Sequence, residues 1–380
     1  MQNFTLSAIP EIVFGAGRIA DLAAKAEALA GRRSNVLLIT DPVLAGLGIT
    51  GRAIDILGSV GIEAVVFDGL RGEPRQADID AAASIAREAE SAAVIGMGGG
   101  SALDIAKLVA SCAVSGENAA AYALCATALP AARLPIIAVP TTAGTGSEVT
   151  RVSVFANADK AKVWAWGAEL KPDVAILDPE LTVAVPPHIT AATGLDALVH
   201  AIEACTNKNR TDGNDLYCLE AIRLISRNLE RAVKDPGDLK ARGAMLLGSC
   251  YGGIGIDNAG TALAHNISHA IADLAPIPHG RATGLAMLAT IGWVAEGIPL
   301  AFGRVARAMQ AETAAAGYER LVRVTGIKMS FDGDGLDLDD PVRLAERMAA
   351  PSNTPMREAT VRTPTDDDLV MLASRVLALQ

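Results

Sequence analysis

The sequence predicts two parts: an α/β domain built on a mostly parallel sheet over residues 1–185, then an all-helical domain over residues 186–380. Three observations carry this. Short, fully apolar, β-branched runs alternate with Ala-rich helical patterns as far as residue 185, the rhythm of βαβ units whose strands are covered on both faces. From Pro186-Pro187 onward the strand signals stop and helical periodicity remains. Glycine-rich loops follow two of the apolar runs, where open α/β sheets bind their ligands.

The candidate strands are Val36–Thr40, Ala64–Phe67, Ala92–Ile95, Ile136–Val139 and Val174–Leu177, with helical stretches near 17–30, 76–90 and 101–115. Gly15-Ala-Gly17-Arg-Ile-Ala20 fits GxGxxA after Ile12-Val-Phe14, but no strand and acidic residue follow as a Rossmann unit requires, since Asp41, about 21 residues past Ala20, comes after its own strand. It reads as a phosphate loop or as a strand-to-helix turn. Gly96-Met-Gly98-Gly99-Gly100-Ser101 is better placed, between Ala92–Ile95 and the helical Ala102–Lys107. Glycines there let the backbone approach a pyrophosphate, and the free N–H groups and dipole of the new helix face the anion. Pro140-Thr141-Thr142-Ala-Gly144-Thr145-Gly146-Ser147-Glu148 repeats the arrangement after the next strand. Its small hydroxyl residues suit phosphate or ribose. Asp41 ends the run Val36–Thr40. A carboxylate there takes both adenosine-ribose hydroxyls and repels a 2′-phosphate, favouring NAD over NADP. Capping the turn at Pro42 is an equally good local reading.

In the second half, helical patterns run at about 187–206, 214–234, 237–250, 259–272, 281–295, 301–316, 340–349 and 365–379. The last opens on Thr365–Asp368, a capping box with acids at the positive end of the helix dipole. Four of the chain's five histidines fall here beside one carboxylate: Asp196 and His200, His265 and His269, then His279. The i, i+4 spacing puts each pair on one helix face. Imidazole with carboxylate suits a divalent metal such as Fe or Zn, and the clustering in a His-poor chain favours a metal site over satisfied core histidines. His188 reads as a surface residue at a helix start.

Composition limits the alternatives. The chain is 51% hydrophobic and 20% charged, which argues against disorder. The longest uncharged stretches, 118–132, 243–256 and 282–295, are interrupted by Gly or Pro and fall short of a bilayer span. No signal-peptide pattern opens the chain, so a soluble, cytoplasmic protein is expected. A net charge of −10 without a basic cluster disfavours nucleic acid and anionic membranes as partners. Five cysteines, an odd number without CxxC spacing, read as reduced, buried small apolar residues. Asp332-Gly-Asp-Gly-Leu336-Asp337 has an apolar residue at an oxygen-ligand position of a calcium loop and reads as a solvated turn. Trp164 and Trp166 alternate like strand residues.

Five stretches, in order, resemble the iron-containing, group III alcohol dehydrogenases: Gly98–Lys107, Pro140–Thr150, Lys171–Pro179, Ala192–Ala201 and Ala264–Gly280. The resemblance runs from about residue 12 to the C-terminus; it is specific for the family and poorly specific for substrate. It implies a dehydroquinate synthase-like fold: a Rossmann-like dinucleotide-binding domain, a helical metal- and substrate-binding domain, and a site in the cleft between them. Carried over by position, Asp196, His200, His265 and His279 resemble the metal ligands, and His269 a histidine close to nicotinamide and substrate. Asp41, Gly98, Gly99, Gly100, Ser101, Asp104, Thr141, Thr142, Thr145, Ser147 and Lys162 fall among the cofactor-binding stretches. Arg151 and Val152 stand where members vary, and Val152 replaces a polar residue found near the nicotinamide in some.

The implied reaction is hydride transfer between a primary or short secondary alcohol and NAD, with Fe(II), or alternatively Zn(II), as Lewis acid. An alcohol or aldehyde is the expected small-molecule partner, and a homodimer or larger homo-oligomer the expected assembly. The runner-up readings are a maleylacetate reductase-like enzyme, which reduces without metal, and a dehydroquinate synthase-like lyase. The full His/Asp set argues against the first. The second needs several basic residues for a phosphate substrate, and only Lys107, Arg151 and Lys162 lie near the loops in sequence.

Overall fold

The computed structural model describes residues 3–379. They form two units. The α/β unit comprises residues 8–142 and 147–184, and the helical unit residues 3–7, 143–146 and 185–379.

The α/β unit carries strands β1 (Glu11–Phe14), β2 (Asn35–Ile39), β3 (Glu63–Phe67), β4 (Ala93–Gly98), β5 (Ile136–Pro140), β6 (Val152–Ala156), β7 (Lys162–Trp166) and β8 (Val174–Leu177). Its helices are α1 (Leu22–Ala30), α2 (Pro42–Gly46), α3 (Ile49–Gly58), α4 (Gln76–Glu88) and α5 (Gly100–Ser115). Six strands form one sheet in the order β1-β8-β5-β4-β2-β3, and every pair is parallel. Successive side chains of β2 feed separate cores: Leu37 and Ile39 pack with α4 and α5, Val36 and Leu38 with α1 and α3. That two-sided burial explains the unbroken apolar runs. All five expected strands occur. β1 and the antiparallel hairpin β6–β7 are additional, as are α2 and α3.

The helical unit contains α6 (Pro187–Thr206), α7 (Asp212–Lys234), α8 (Leu239–Ala259), α9 (Leu263–Ala272), α10 (His279–Ala295), α11 (Pro299–Ala308), α12 (Ala314–Thr325), α13 (Pro341–Met348), α14 (Thr354–Ala359) and α15 (Asp366–Leu377) around one core. Two helical expectations need correction. The 237–250 pattern continues to Ala259, because its glycines serve packing: a Cβ on Gly248 would lie 2.6 Å from Ile225 and one on Gly255 2.7 Å from Cys218 Sγ. The 301–316 pattern is two helices. Gln310 takes a left-handed φ of 54° between them, and Thr313 caps α12 by accepting from Ala316 N. The expected capping box at Thr365–Asp368 is present. Among the described residues no helix is long and apolar enough to cross a membrane.

Candidate metal centre and nucleotide loops

Helix α6 is buried nearly all round because its neighbours approach through small residues. A Cβ on Gly280 would stand 2.5 Å from Ala192 O, one on Gly252 3.1 Å from Ala197 O, and one on Gly194 2.4 Å from Leu229. Short side chains on α6 therefore reach groups on α9 and α10. Asp196 and His200 come from α6, His265 from the first turn of α9, and His279 is the first residue of α10.

The three imidazoles converge on one oxygen. Asp196 Oδ1 lies 3.7 Å from His265 Nε2, 3.7 Å from His279 Nε2 and 3.9 Å from His200 Nε2. Asp196, His265 and His279 offer donor atoms all within 4.8 Å of one another. His200 joins through its contact with Asp196 and stacks on His265, ring centroids 4.6 Å apart. These separations exceed hydrogen bonds, yet two donors each about 2.1 Å from a shared ion lie at most about 4.2 Å apart.

The opposite ring nitrogens are anchored. His200 Nδ1 donates to Gly144 O at 3.3 Å, His265 Nδ1 donates to Glu203 Oε2 at 2.7 Å, and His279 Nδ1 is 3.5 Å from Ser268 Oγ. Such anchoring turns each Nε2 toward the centre. Asp196 Oδ1 and His265 Nε2 are buried without a hydrogen-bond partner. Two acceptors facing each other in the interior are unfavourable unless a cation lies between them, so the donor set fits a divalent metal. Burial pushes the His200 imidazole below its usual pKa, outweighing the opposing pull of Asp196; a neutral ring is the form that ligates. His269 is half-buried, with its ring centroid 5.6 Å from that of His279. His188 is exposed in the first turn of α6, as expected.

Sequence reasoning missed Glu203. It is 3% exposed and sits on the same face of α6, one turn beyond His200. The signal was present: Asp196, His200 and Glu203 repeat at i, i+4 and i+7, and Asp196 and Glu203 are the only acids in the helix.

In the α/β unit, Asp41, the Gly98–Ser101 turn and Thr141-Thr142 follow the neighbouring strands β2, β4 and β5 at their carboxyl ends. Gly98 pairs with Pro140, and Gly99 is the N-cap of α5. A Cβ on Gly96 would meet Ala106 at 2.8 Å and one on Gly98 would meet Ala102 at 2.8 Å, so helix and strand pack closely because those positions are bare. Asp41 caps α2, the second of its two local readings. Its Oδ1 accepts from Val43 N (2.9 Å) and Leu44 N (3.1 Å), while Oδ2 lies 3.6 Å from where a Gly98 side chain would begin. Thr142 Oγ1 is 3.5 Å from the corresponding point on Gly99.

Asp104 and Ser147 are engaged with each other: Ser147 Oγ donates to Asp104 Oδ1 at 2.5 Å, and Val154 N donates to Oδ2 at 3.1 Å. Buried Lys107 donates to Ser147 Oγ at 2.6 Å, Thr150 Oγ1 at 2.9 Å and Val152 O at 2.9 Å. Lys162 opens β7, half-buried, and Thr145 lies in the segment 143–146 that packs with the helices. Arg151 stacks its guanidinium over Trp166 at 4.5 Å. The Gly15–Ala20 turn is closed internally, since Gly17 N and Ile19 N donate to buried Asp178 at 3.1 and 2.9 Å. Its amides are spent on a side chain, which favours the strand-to-helix turn.

A parallel α/β unit with a glycine turn opening a helix, together with a helical unit that carries a buried Asp–His cluster, fits a metal-dependent oxidoreductase of the nucleotide-linked kind. Comparison makes the class specific. Residues 10–179 match the family model of the iron-containing alcohol dehydrogenases, and residues 190–377 match that of the C-terminal part of the same family. The chain belongs to the iron-containing alcohol dehydrogenase family. It is 35% identical to long-chain-alcohol dehydrogenase 1 of Geobacillus thermodenitrificans over 347 residues, 86% of this chain and 88% of that one. Sulfoacetaldehyde reductase from Bifidobacterium kashiwanohense, solved in complex with NAD+, superposes over 100% of both chains at 30% identity with a TM-score of 0.91. A 1,3-propanediol oxidoreductase superposes over 99% of this chain and 100% of its own at 29% identity, TM-score 0.90.

Proposed function

We propose that this chain interconverts a primary or short secondary alcohol and its carbonyl product with NAD, using one divalent metal, Fe(II) or alternatively Zn(II), held by Asp196, His200, His265 and His279. The observation that carries the reading is the approach of three Nε2 atoms to Asp196 Oδ1 at 3.7–3.9 Å, with that oxygen and His265 Nε2 buried without a hydrogen-bond partner. When bound, the metal supplies a Lewis acid for the alcohol or carbonyl oxygen, and NAD supplies the hydride acceptor. His269, half-buried beside His279, carries the alcohol proton toward water. Gly98, Gly99, Gly100, Ser101, Thr141, Thr142 and Thr145 bind the cofactor phosphates and nicotinamide side with Lys162, and Asp41 takes the adenosine ribose. Asp104 and Ser147 serve the cofactor indirectly, by holding the 140–150 loop against α5. The maleylacetate reductase-like reading explains the paired acceptors less well because it needs no metal, and the dehydroquinate synthase-like reading lacks the basic residues a phosphate substrate needs, with only Lys107, Arg151 and Lys162 near the loops in sequence.

We place the protein in the cytoplasm as a homodimer or larger assembly, which light scattering tests directly. The deciding experiment is a panel of alcohols and aldehydes with NAD and NADP, run on protein reconstituted separately with Fe(II) and Zn(II). NADH formation with primary or short secondary alcohols is expected. No nicotinamide turnover with any member of the panel would contradict the reading.

A further inference from the structure

We infer that Glu203 is a positioning residue for the metal site, locking His265 in the tautomer that presents a bare Nε2 and fixing the start of the helix that carries it. The inference rests on the metal reading above. Glu203 Oε1 accepts from Ala264 N at 2.6 Å, and Oε2 accepts from Ala262 N at 2.7 Å and His265 Nδ1 at 2.7 Å. Three donors and the positive end of the α9 dipole satisfy a buried charge without a lysine or arginine partner at those oxygens. An ionised carboxylate only accepts. The His265 proton is therefore held on Nδ1, and the lone pair of Nε2 faces Asp196 Oδ1. The same carboxylate pins the backbone on both sides of Leu263, so the ring cannot swing with a fraying helix end. One face of α6 thus supplies two ligands and the group that aims a third.

Glu203→Gln is nearly isosteric but cannot satisfy this arrangement. With its oxygen at the Oε2 position, its amide NH2 faces the Ala264 N–H, donor against donor. With its oxygen at Oε1, the NH2 faces Ala262 N–H and drives the His265 proton to Nε2, where it blocks the metal. The test is chelator competition for Zn(II) and for Fe(II) on the full-length parent, Glu203→Gln and Glu203→Asp, with NAD affinity and metal-free melting temperature measured alongside. Glu203→Gln is expected to bind either metal 10–100-fold more weakly with NAD affinity unchanged. Glu203→Asp, which keeps the charge but is one methylene short, falls between. A role limited to capping α9 would lower the metal-free melting temperature and leave the affinity of the folded protein alone. Affinity within twofold of the parent in Glu203→Gln, or in Glu203→Asp if the first does not fold, overturns the inference. A parent that binds neither metal overturns the metal reading instead.

Discussion

Single side chains carry most of the chemistry argued above, and several act against their ordinary preferences. Glu148, 2% exposed in the second glycine loop, is the clearest. Burial pushes its carboxyl up from 4.5 to about 7, with its own backbone amide and Lys107 opposing. Below pH 4.5 both folded and unfolded states hold the proton and burial costs little. Between 4.5 and 7 the unfolded chain releases it while the folded chain keeps it, so stability falls across that window and levels off above it. Glu148→Gln removes this loss. The stability of the variant relative to the parent should rise by about 3 kcal/mol between pH 4.5 and 8 in urea unfolding; a pH-independent difference would show that the proton stays on in neither state. Asp41 gives a second test. Asp41→Asn keeps a cap for α2 and removes the charge, so the NAD-over-NADP preference in kcat/KM should shrink about tenfold, equivalent to roughly 1.4 kcal/mol. A parent that prefers NADP would show Asp41 to be a cap alone.

At the scale of elements, close approach decides more than periodicity does. Gly280 lets the start of α10 touch α6, and a methyl there would stand 2.5 Å from Ala192 O. Gly280→Ala should displace His279, weaken metal binding at least tenfold and cost about 1–3 kcal/mol of stability; chelator competition and thermal melting report the two effects. Close packing is also where the sequence was hardest to read. The five buried strands, apolar on both faces, and the i, i+4 pairs of candidate metal-site residues are legible as patterns. The sequence pattern of α8 stops short because Gly252 and Gly255 look like a terminus until Ala197 and Cys218 are placed against them. The break at Gln310 lay inside a continuous Ala-rich pattern, and the hairpin β6–β7 was visible only as the alternation of Trp164 and Trp166. Glu203 was passed over because it lacks the histidine signature, although its spacing from His200 puts it on the ligand face.

For the whole molecule, the proposed metal ligands all lie in the helical unit, and the proposed nucleotide contacts, Thr145 apart, lie in the α/β unit. Metal at 100 times its dissociation constant should stabilise the helical unit by about 2.7 kcal/mol, and a chelator should remove that gain. NAD should act instead on unfolding of the α/β unit. Separate probes exist: Trp293 lies in the helical unit, Trp164 and Trp166 in the α/β unit. Fluorescence of single-tryptophan variants during thermal unfolding would then show chelation lowering the Trp293 transition more than the other. Equal shifts would mean that the units melt as one.

Metal content is the property on which the proposed chemistry depends most directly. Elemental analysis of the purified parent and of His265→Ala, paired with turnover, is the measurement. About one Fe or Zn per chain in the parent, with both metal and activity lost in His265→Ala, is the predicted result. A preparation stripped of metal that keeps full activity would contradict it.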